Sequence, residues 1–384
     1  MSNLDSTLAG HAVPKPGASQ PTNDGLDLIE EHILPKLDPE FLQYFIDVIA
    51  KQPPAHTIPI EEVRKSPQKH QPPCALDSSK EKGVGDHVVS SQDGTSIPVR
   101  VYHPVEDERG VVRPGPHPVH LNFHGGGFVL GDLHSEAGLC LVMRRAGVVV
   151  VDVNYRHCPG TVSQMLFGPG ASSDSVVVET IWGKCIQDAW AALNWVRDEH
   201  VSLNVDPFSI SIGGVSAGGH ISLVLQHMAR DAGIPLKLCM PTVPPTTDCL
   251  SLDYYTQSPY PSFHEFHQGP VLPWKRIKYF GNQCMPRDKL PEIRKMWPDW
   301  WLAPMRAPNW SGLCNTYIRT AEVDPLRDEG EAYAMKLVAN GTMVTLKRYL
   351  GCPHTFMYLG VLSQKRQWDE DSIHALKVAH GLRK

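Results

Sequence analysis

The run at 146–155, AGVVVVDVNY, is apolar at almost every position. A strand with one wet face alternates apolar and polar side chains. A run without that alternation reads as a strand buried on both faces, which is the habit of parallel sheets covered by helices. Further strand-like runs are PVHLNF (118–123), FSISIGG (208–214), NTYIRTAEV (315–323) and TMVTLKRYL (342–350). Helix-like segments at 135–145, 181–199, 217–232 and 328–340 separate them. Strand and helix in alternation predict an α/β fold with a mostly parallel central sheet flanked by helices. Ahead of these, VVSSQDGTSIPVRVYHP places two β-rich runs around Asp93-Gly94, a hairpin signal.

The rest of the 384-residue chain divides by texture. Residues 1–24 are polar and rich in Pro, Gly and Ser, and are predicted to be disordered. Residues 25–86 read as an arm: Phe41, Leu42, Phe45, Val48 and Ile49 fall at helical spacing, and Pro53 to Pro73 is proline-rich. The core is expected over 87–384, interrupted at about 241–310 by a stretch rich in Pro, Trp and Tyr that breaks the strand–helix rhythm. The aromatic residues Tyr254, Tyr255, Trp297, Trp300 and Trp301 belong there either as the wall of an apolar substrate pocket or as plain packing.

Composition excludes some functions. A formal net charge of −5 offers no basic field for nucleic acid. No basic leader precedes an apolar stretch at the N-terminus, and no run reaches the ~18 apolar residues of a membrane span. A cytoplasmic protein without a membrane span is the expectation. Nine cysteines show neither CxxC pairs nor zinc-ligand spacing, so free thiols and no metal site are expected.

Chemistry concentrates at four places. The strand FSISIGG runs into Gly214-Val215-Ser216-Ala217-Gly218, ahead of the apolar helix HISLVLQHM. A serine at a sharp strand-to-helix turn has strained backbone angles, and small residues two before and two after it (Gly214 and Gly218) prevent clashes. Upstream, His124-Gly125-Gly126-Gly127 follows the strand PVHLNF. A tetrahedral intermediate of acyl transfer needs main-chain N–H groups around its oxyanion, and a side chain there would block the substrate. The donors are assigned to Gly126, Gly127 and Ala217, with His124 as an anchor of the loop rather than an acid or base.

A serine also needs a general base. Nineteen histidines compete, and chain order decides: in strand–turn–helix serine hydrolases the order is Ser, acid, His. Asp324 directly follows the strand NTYIRTAEV, and His354 follows TLKRYL in GCPHTF. Both emerge at the carboxyl edge of the sheet, where open α/β sheets place their sites. Asp328 is the rival acid, but it stands at a helix start, where a carboxylate stabilises the helix.

With HGGGF, GVSAGG, AEVDPLRDEG and GCPHTF in their order, residues 87–384 resemble the hormone-sensitive-lipase-like, arylacetamide-deacetylase-related family of α/β-hydrolases. The resemblance implies an α/β-hydrolase fold with a helical cap, built here from 25–85 and 241–310. It also implies a serine esterase for a small or medium hydrophobic ester, with no metal or organic cofactor. The long arm is similar to fungal members that tailor specialised metabolites. The same triad would serve an amide or thioester hydrolase or a product-releasing enzyme, and a few relatives of the fold only bind ligands. One departure stands out. Between Tyr155-Arg156-His157-Cys158-Pro159 and the helix IQDAWAALNWV lie extra residues, Gly160 to Val178, whose removal restores the family spacing at Glu179. They are read as a loop insertion or as an unspliced intron, since Gly160 as GGT and Val178-Glu179 as GTA-GAR supply splice signals.

Overall fold

The computed structural model describes residues 25–105, 114–160, 182–250 and 254–382. Expectations for 1–24, and for all but the first residue of Gly160–Val178, therefore lie outside the described residues. Eight strands form one sheet: β1 Val84–Ser90, β2 Ser96–Tyr102, β3 His117–Phe123, β4 Val149–Val153, β5 Val205–Val215, β6 Leu238–Thr242, β7 Thr316–Val323 and β8 Val344–Pro353. Their order is β1-β2-β4-β3-β5-β6-β7-β8. β1 pairs β2 and β2 pairs β4 antiparallel, and every other neighbour pair is parallel.

Five described helices have eleven residues or more: α1 Lys184–Asp198, α2 Ala217–Asp231, α3 Trp274–Cys284, α4 Arg327–Ala339 and α5 Ser363–Ala379. The valine run behaves as its pattern demands. Val149, Val151 and Val153 join one apolar cluster with residues of α1, α2 and α4, whereas Val150 joins a second cluster that includes Trp368 and Leu376 of α5. All five residues of β4 are buried, so the sheet carries a core on each face. The hairpin turns at Asp93-Gly94, where Gly94 has φ 81° and Ser91 N–H donates to Thr95 O at 2.8 Å.

Two elements differ from the sequence reading. β6 was not foreseen, because LCMPT is short and carries no turn signal. The rhythm-breaking stretch expected from about 241 begins inside it. α5 was also missed: SQKRQWDEDSIHALKVA is mostly polar, and only a narrow stripe including Trp368, Ser372 and Leu376 is buried. β1 starts at Val84, within the segment assigned to the arm.

The sheet reverses its winding between β3 and β5. β4 lies to one side of β3, and β5 to β8 run off on the other. Such a switch point opens a crevice beyond the carboxyl ends of the strands. The segment leaving β4 toward that crevice is fastened by a buried ion pair. Arg156 Nη2 donates to Asp188 Oδ1 at 2.6 Å, its Nε to Oδ2 at 2.9 Å, and its backbone N–H to Oδ2 at 2.9 Å. Ser91 Oγ donates to Asp188 Oδ1 at 2.7 Å, and Arg156 Nη1 reaches Asp93. The hairpin, the exit of β4 and α1 are thus tied at one point, with both charged groups almost wholly buried. Removing one partner strands the other charge in the core. Asp188→Ala is expected to cost roughly 3–5 kcal/mol, read as a fall in the urea unfolding midpoint.

Candidate active site

The turn from β5 into α2 has the strain that its sequence foretells. Ser216 has φ 54° and ψ −114°, a region that non-glycine residues rarely occupy. The crowding around it explains the glycines. A Cβ on Gly214 or on Gly218 would overlap the carbonyl oxygen of Phe123, the last residue of β3. Only with both positions bare can the serine turn pack against the neighbouring strand. Ser216 N–H donates to Thr242 O of β6 at 2.8 Å, which holds the turn from the other side.

Residues from three separate strand ends meet here. Ser216 Oγ lies 2.9 Å from His354 Nε2, and His354 Nδ1 lies 2.8 Å from Asp324 Oδ2. Asp324 Oδ1 accepts the N–H of Leu326 at 3.0 Å, which fixes the carboxylate. Asp324 is fully buried, and His354 is 4% exposed. Asp328 is elsewhere engaged: its Oδ2 accepts Ser262 N–H at 2.8 Å and its Oδ1 accepts Arg327 Nε at 2.7 Å.

The glycine loop faces the serine. Gly126 and Gly127 have φ 123° and 61°, values open mainly to glycine. A Cβ on Gly126 would strike Leu130 O, and one on Gly127 would strike the ring of Phe280. The N–H groups of Gly126, Gly127 and Ala217 donate to no described residue, and all three residues line one cavity with Ser216 and His354. Gly125 N–H is different: it donates to Glu136 Oε1 at 2.8 Å. His124 is buried and stacks on Tyr155 at 4.5 Å, and its carbonyl accepts the Tyr155 hydroxyl at 2.7 Å. Burial lowers its pKa, so it stands there as a neutral ring.

Beneath this loop is a polar cluster that the sequence reading missed. Asn122 of β3 and Asp152 of β4 are register partners. Asn122 Nδ2 donates at 3.0 Å both to Asp152 Oδ1 and to Glu136 Oε2. Tyr358, one turn beyond His354, donates its hydroxyl to Glu136 Oε1. The available signal was the presence of Asn and Asp inside otherwise apolar strands. Loss of hydration raises the Glu136 pKa, and it raises that of Asp152 to about 8.

A cavity of about 2200 Å³ opens above the serine. Its far wall comes from the arm and from α3, with Ile58, Ile60, Val63, Leu250, Ile277 and Phe280 among its apolar residues. None of Tyr254, Tyr255, Trp297, Trp300 or Trp301 lines it. Of the two readings open for these aromatics, plain packing is the one that fits. Trp297 stacks on Trp301, Trp300 leans on His227, and Tyr255 packs with Phe263 and Trp274. All nine cysteines are free, and no group of three or more metal-ligating side chains occurs among the described residues.

Known proteins carry the same architecture. An alpha/beta hydrolase fold family matches residues 179–358, beginning directly after the extra segment, and the carboxylesterase family matches residues 52–234. Carboxylesterase NlhH of Mycobacterium tuberculosis is 36% identical over 266 residues, covering 68% of this chain and 72% of its own. An AB hydrolase superfamily protein of Schizosaccharomyces pombe is 28% identical over 373 residues, covering 94% of this chain and 99% of its own. The esterase of Pyrobaculum calidifontis, a solved structure, superposes with a TM-score of 0.70 at 28% identity, over 89% of this chain and 98% of the other. The chain belongs to the hormone-sensitive-lipase-like family of α/β-hydrolases and is a carboxylic-ester hydrolase. No described helix is long and apolar enough to cross a membrane.

The raised Asp152 pKa has a consequence for stability. An unfolded Asp loses its proton near pH ~3.9, whereas the folded one keeps it until about pH 8. Between these values the native state binds the extra proton, so this group makes stability fall as pH rises. Asn at 152 can still accept from Asn122 and cannot ionise. Asp152→Asn is expected to gain more than about 1 kcal/mol over wild type on going from pH 5 to pH 8, measured by urea unfolding at both. A flat difference would mean that Asp152 is ionised in the fold.

Proposed function

We propose that the chain hydrolyses a small or medium, largely apolar carboxylic ester through an acyl-enzyme on Ser216. Ser216 Oγ attacks the ester carbonyl while His354 Nε2 takes its proton. The carbonyl oxygen becomes an oxyanion held by the N–H groups of Gly126, Gly127 and Ala217. His354 then delivers the proton to the leaving alcohol. A water molecule, deprotonated by the same ring, releases the acid and regenerates the serine. Asp324 keeps His354 in the tautomer with hydrogen on Nδ1 and stabilises the ring when it is charged. His124 and Gly125 hold the loop; they take no proton.

The observation that carries this reading is the unbroken line of two hydrogen bonds, Ser216 to His354 to Asp324, facing three N–H groups without partners among the described residues. Each preorganised N–H is worth roughly 3 kcal/mol of transition-state stabilisation. The helix dipole of α2 adds to this at Ala217. The cap, in this reading, consists of 25–85 together with the segment between β6 and β7. It keeps water from the far side of the ester and supplies the apolar wall.

A panel of 4-nitrophenyl esters from acetate to decanoate tests the proposal. Wild type is expected to release nitrophenolate with an initial burst. Ser216→Ala is expected to lose at least about 10³-fold in kcat while retaining the wild-type melting temperature. Undiminished turnover in the alanine variant would remove Ser216 from the mechanism.

A further inference from the structure

The cavity wall opposite the serine carries an arginine with little to hold. Arg276 lies on α3, one turn before Phe280, whose ring occupies the space that a Gly127 side chain would need. Its guanidinium is centred 5.7 Å from the Phe280 ring. Its one hydrogen bond among the described residues is a long one, from Nη1 to Val271 O at 3.3 Å. No described carboxylate lies within ion-pair distance of it. Arg64, in the same cavity, makes a useful contrast. Its two terminal nitrogens are spent on the carbonyls of Val129, Cys158, Pro159 and Gly160.

Other polar groups share the cavity with Arg276; one of them, Glu61, is acidic and acts on Tyr279. Tyr279 also lines the cavity, and its phenol oxygen is buried with no hydrogen-bond partner among the described residues. Lys275 and His56 line it too. Burial lowers the pKa of His56, and the positive charges of Lys275 and Arg276 lower it further, so these groups share one neighbourhood. Burial likewise lowers the pKa of Arg276, with only the phenols of Tyr279 and Tyr358 acting against it. A half-buried cation without a counter-ion is costly unless something else supplies the negative charge.

We propose that Arg276 and Tyr279 form an anion subsite, and that the preferred substrates are esters that bear a carboxylate. This rests on the catalytic reading above and adds substrate class to it. The ester carbonyl sits at Ser216, and the carboxylate takes the free N–H groups of Arg276 and the hydroxyl of Tyr279. A planar guanidinium can receive a carboxylate through two parallel hydrogen bonds, which gives orientation as well as attraction. The carboxylate can belong to the acyl half or to the alcohol half. The experiment separates the two.

Two matched pairs are assayed with the full chain. 4-Nitrophenyl hydrogen adipate against 4-nitrophenyl hexanoate tests the acyl half. 4-Acetoxybenzoate against phenyl acetate tests the alcohol half. The readout is the anionic-to-neutral ratio of kcat/KM. In one pair, Arg276→Gln is expected to lower that ratio at least about 10-fold, Arg276→Lys to restore part of it, and Tyr279→Phe to lower it severalfold. Added 0.5 M KCl should narrow the wild-type ratio, as screening of an ionic contact requires. Ratios within about twofold of wild type in both pairs, for all three variants, would overturn the subsite. A binding measurement stands apart from turnover: sodium adipate should raise the melting temperature of Ser216→Ala and fail to raise that of Ser216→Ala with Arg276→Gln. Equal shifts would also overturn it. Persistent hydrolysis in Ser216→Ala would instead sink the catalytic reading, whatever the ratios do.

Discussion

The molecule turns on a backbone contact. The end of β3 and the start of α2 approach so closely that Gly214 and Gly218 both press on the carbonyl of Phe123. That contact does two jobs at once. It forces Ser216 into a left-handed backbone and so lifts its hydroxyl out of the sheet. It also sets the first turn of α2 directly across from the glycine loop, which leaves β3 immediately after Phe123. Ser216 and the N–H groups that face it are therefore positioned by the same main-chain geometry, not by mobile side chains. The strain at Ser216 is of order 1–3 kcal/mol, and the two apolar clusters on either side of the sheet are what sustain it.

The glycine loop has a matching problem, since three glycines have no side chains with which to anchor themselves. The anchors come from below. Glu136 holds the Gly125 N–H, Tyr155 holds the His124 carbonyl, and Tyr358 braces Glu136 from the His354 side. Asn122 bridges Glu136 to Asp152, two buried acids that repel each other when both are charged. Asp152 Oδ2 has no partner among the described residues, a poor situation for an ionised oxygen and a tolerable one for a neutral acid. A proton held on Asp152 removes that repulsion and leaves Glu136 as the acceptor of the loop. The N–H groups of Gly126 and Gly127 remain uncommitted because the hydrogen bonding beneath them is already complete at Gly125.

Much of this was legible in the sequence, and the reasons can be stated residue by residue. Four valines with no polar alternation identified β4 and, through it, a parallel sheet. Chain order selected His354 from nineteen histidines and Asp324 over Asp328; in the fold His354 lies between Ser216 and Asp324, while Asp328 is bonded to Ser262 and Arg327. Glycine was legible where the backbone must come close, at 126, 127, 214 and 218. Side-chain partners across distant segments were not. Glu136, Asn122 and Asp152 lie on three elements, and their meeting depends on the register of β3 with β4. The aromatic cap residues stayed ambiguous for a related reason: a Trp-rich stretch signals large buried area, but it does not say whether that area faces a cavity or another helix. β6 and α5 escaped because five residues carry no readable period and a narrow apolar stripe is diluted by charge.

The groups proposed for catalysis and those proposed for selectivity belong to physically separate parts of this molecule. Every group proposed to act on the ester carbonyl belongs to a loop at a strand end or to the first turn of α2. The opposite wall belongs to the arm and to α3, which meets the glycine loop through Phe280 and through the Cys284 thiol on the Gly127 carbonyl. Rigid main-chain geometry suits the first task, because an oxyanion must meet its donors within a few tenths of an ångström. Long side chains on a helix suit the second, because they can present charge without disturbing the sheet. Arg276 is the clearest case. It lies one helical turn from Phe280, beside Gly127, so in the proposed subsite its charge meets the substrate without entering the hydrogen bonds of the serine. On this proposal a change on α3 alters which ester is bound and leaves untouched the strained turn at Ser216.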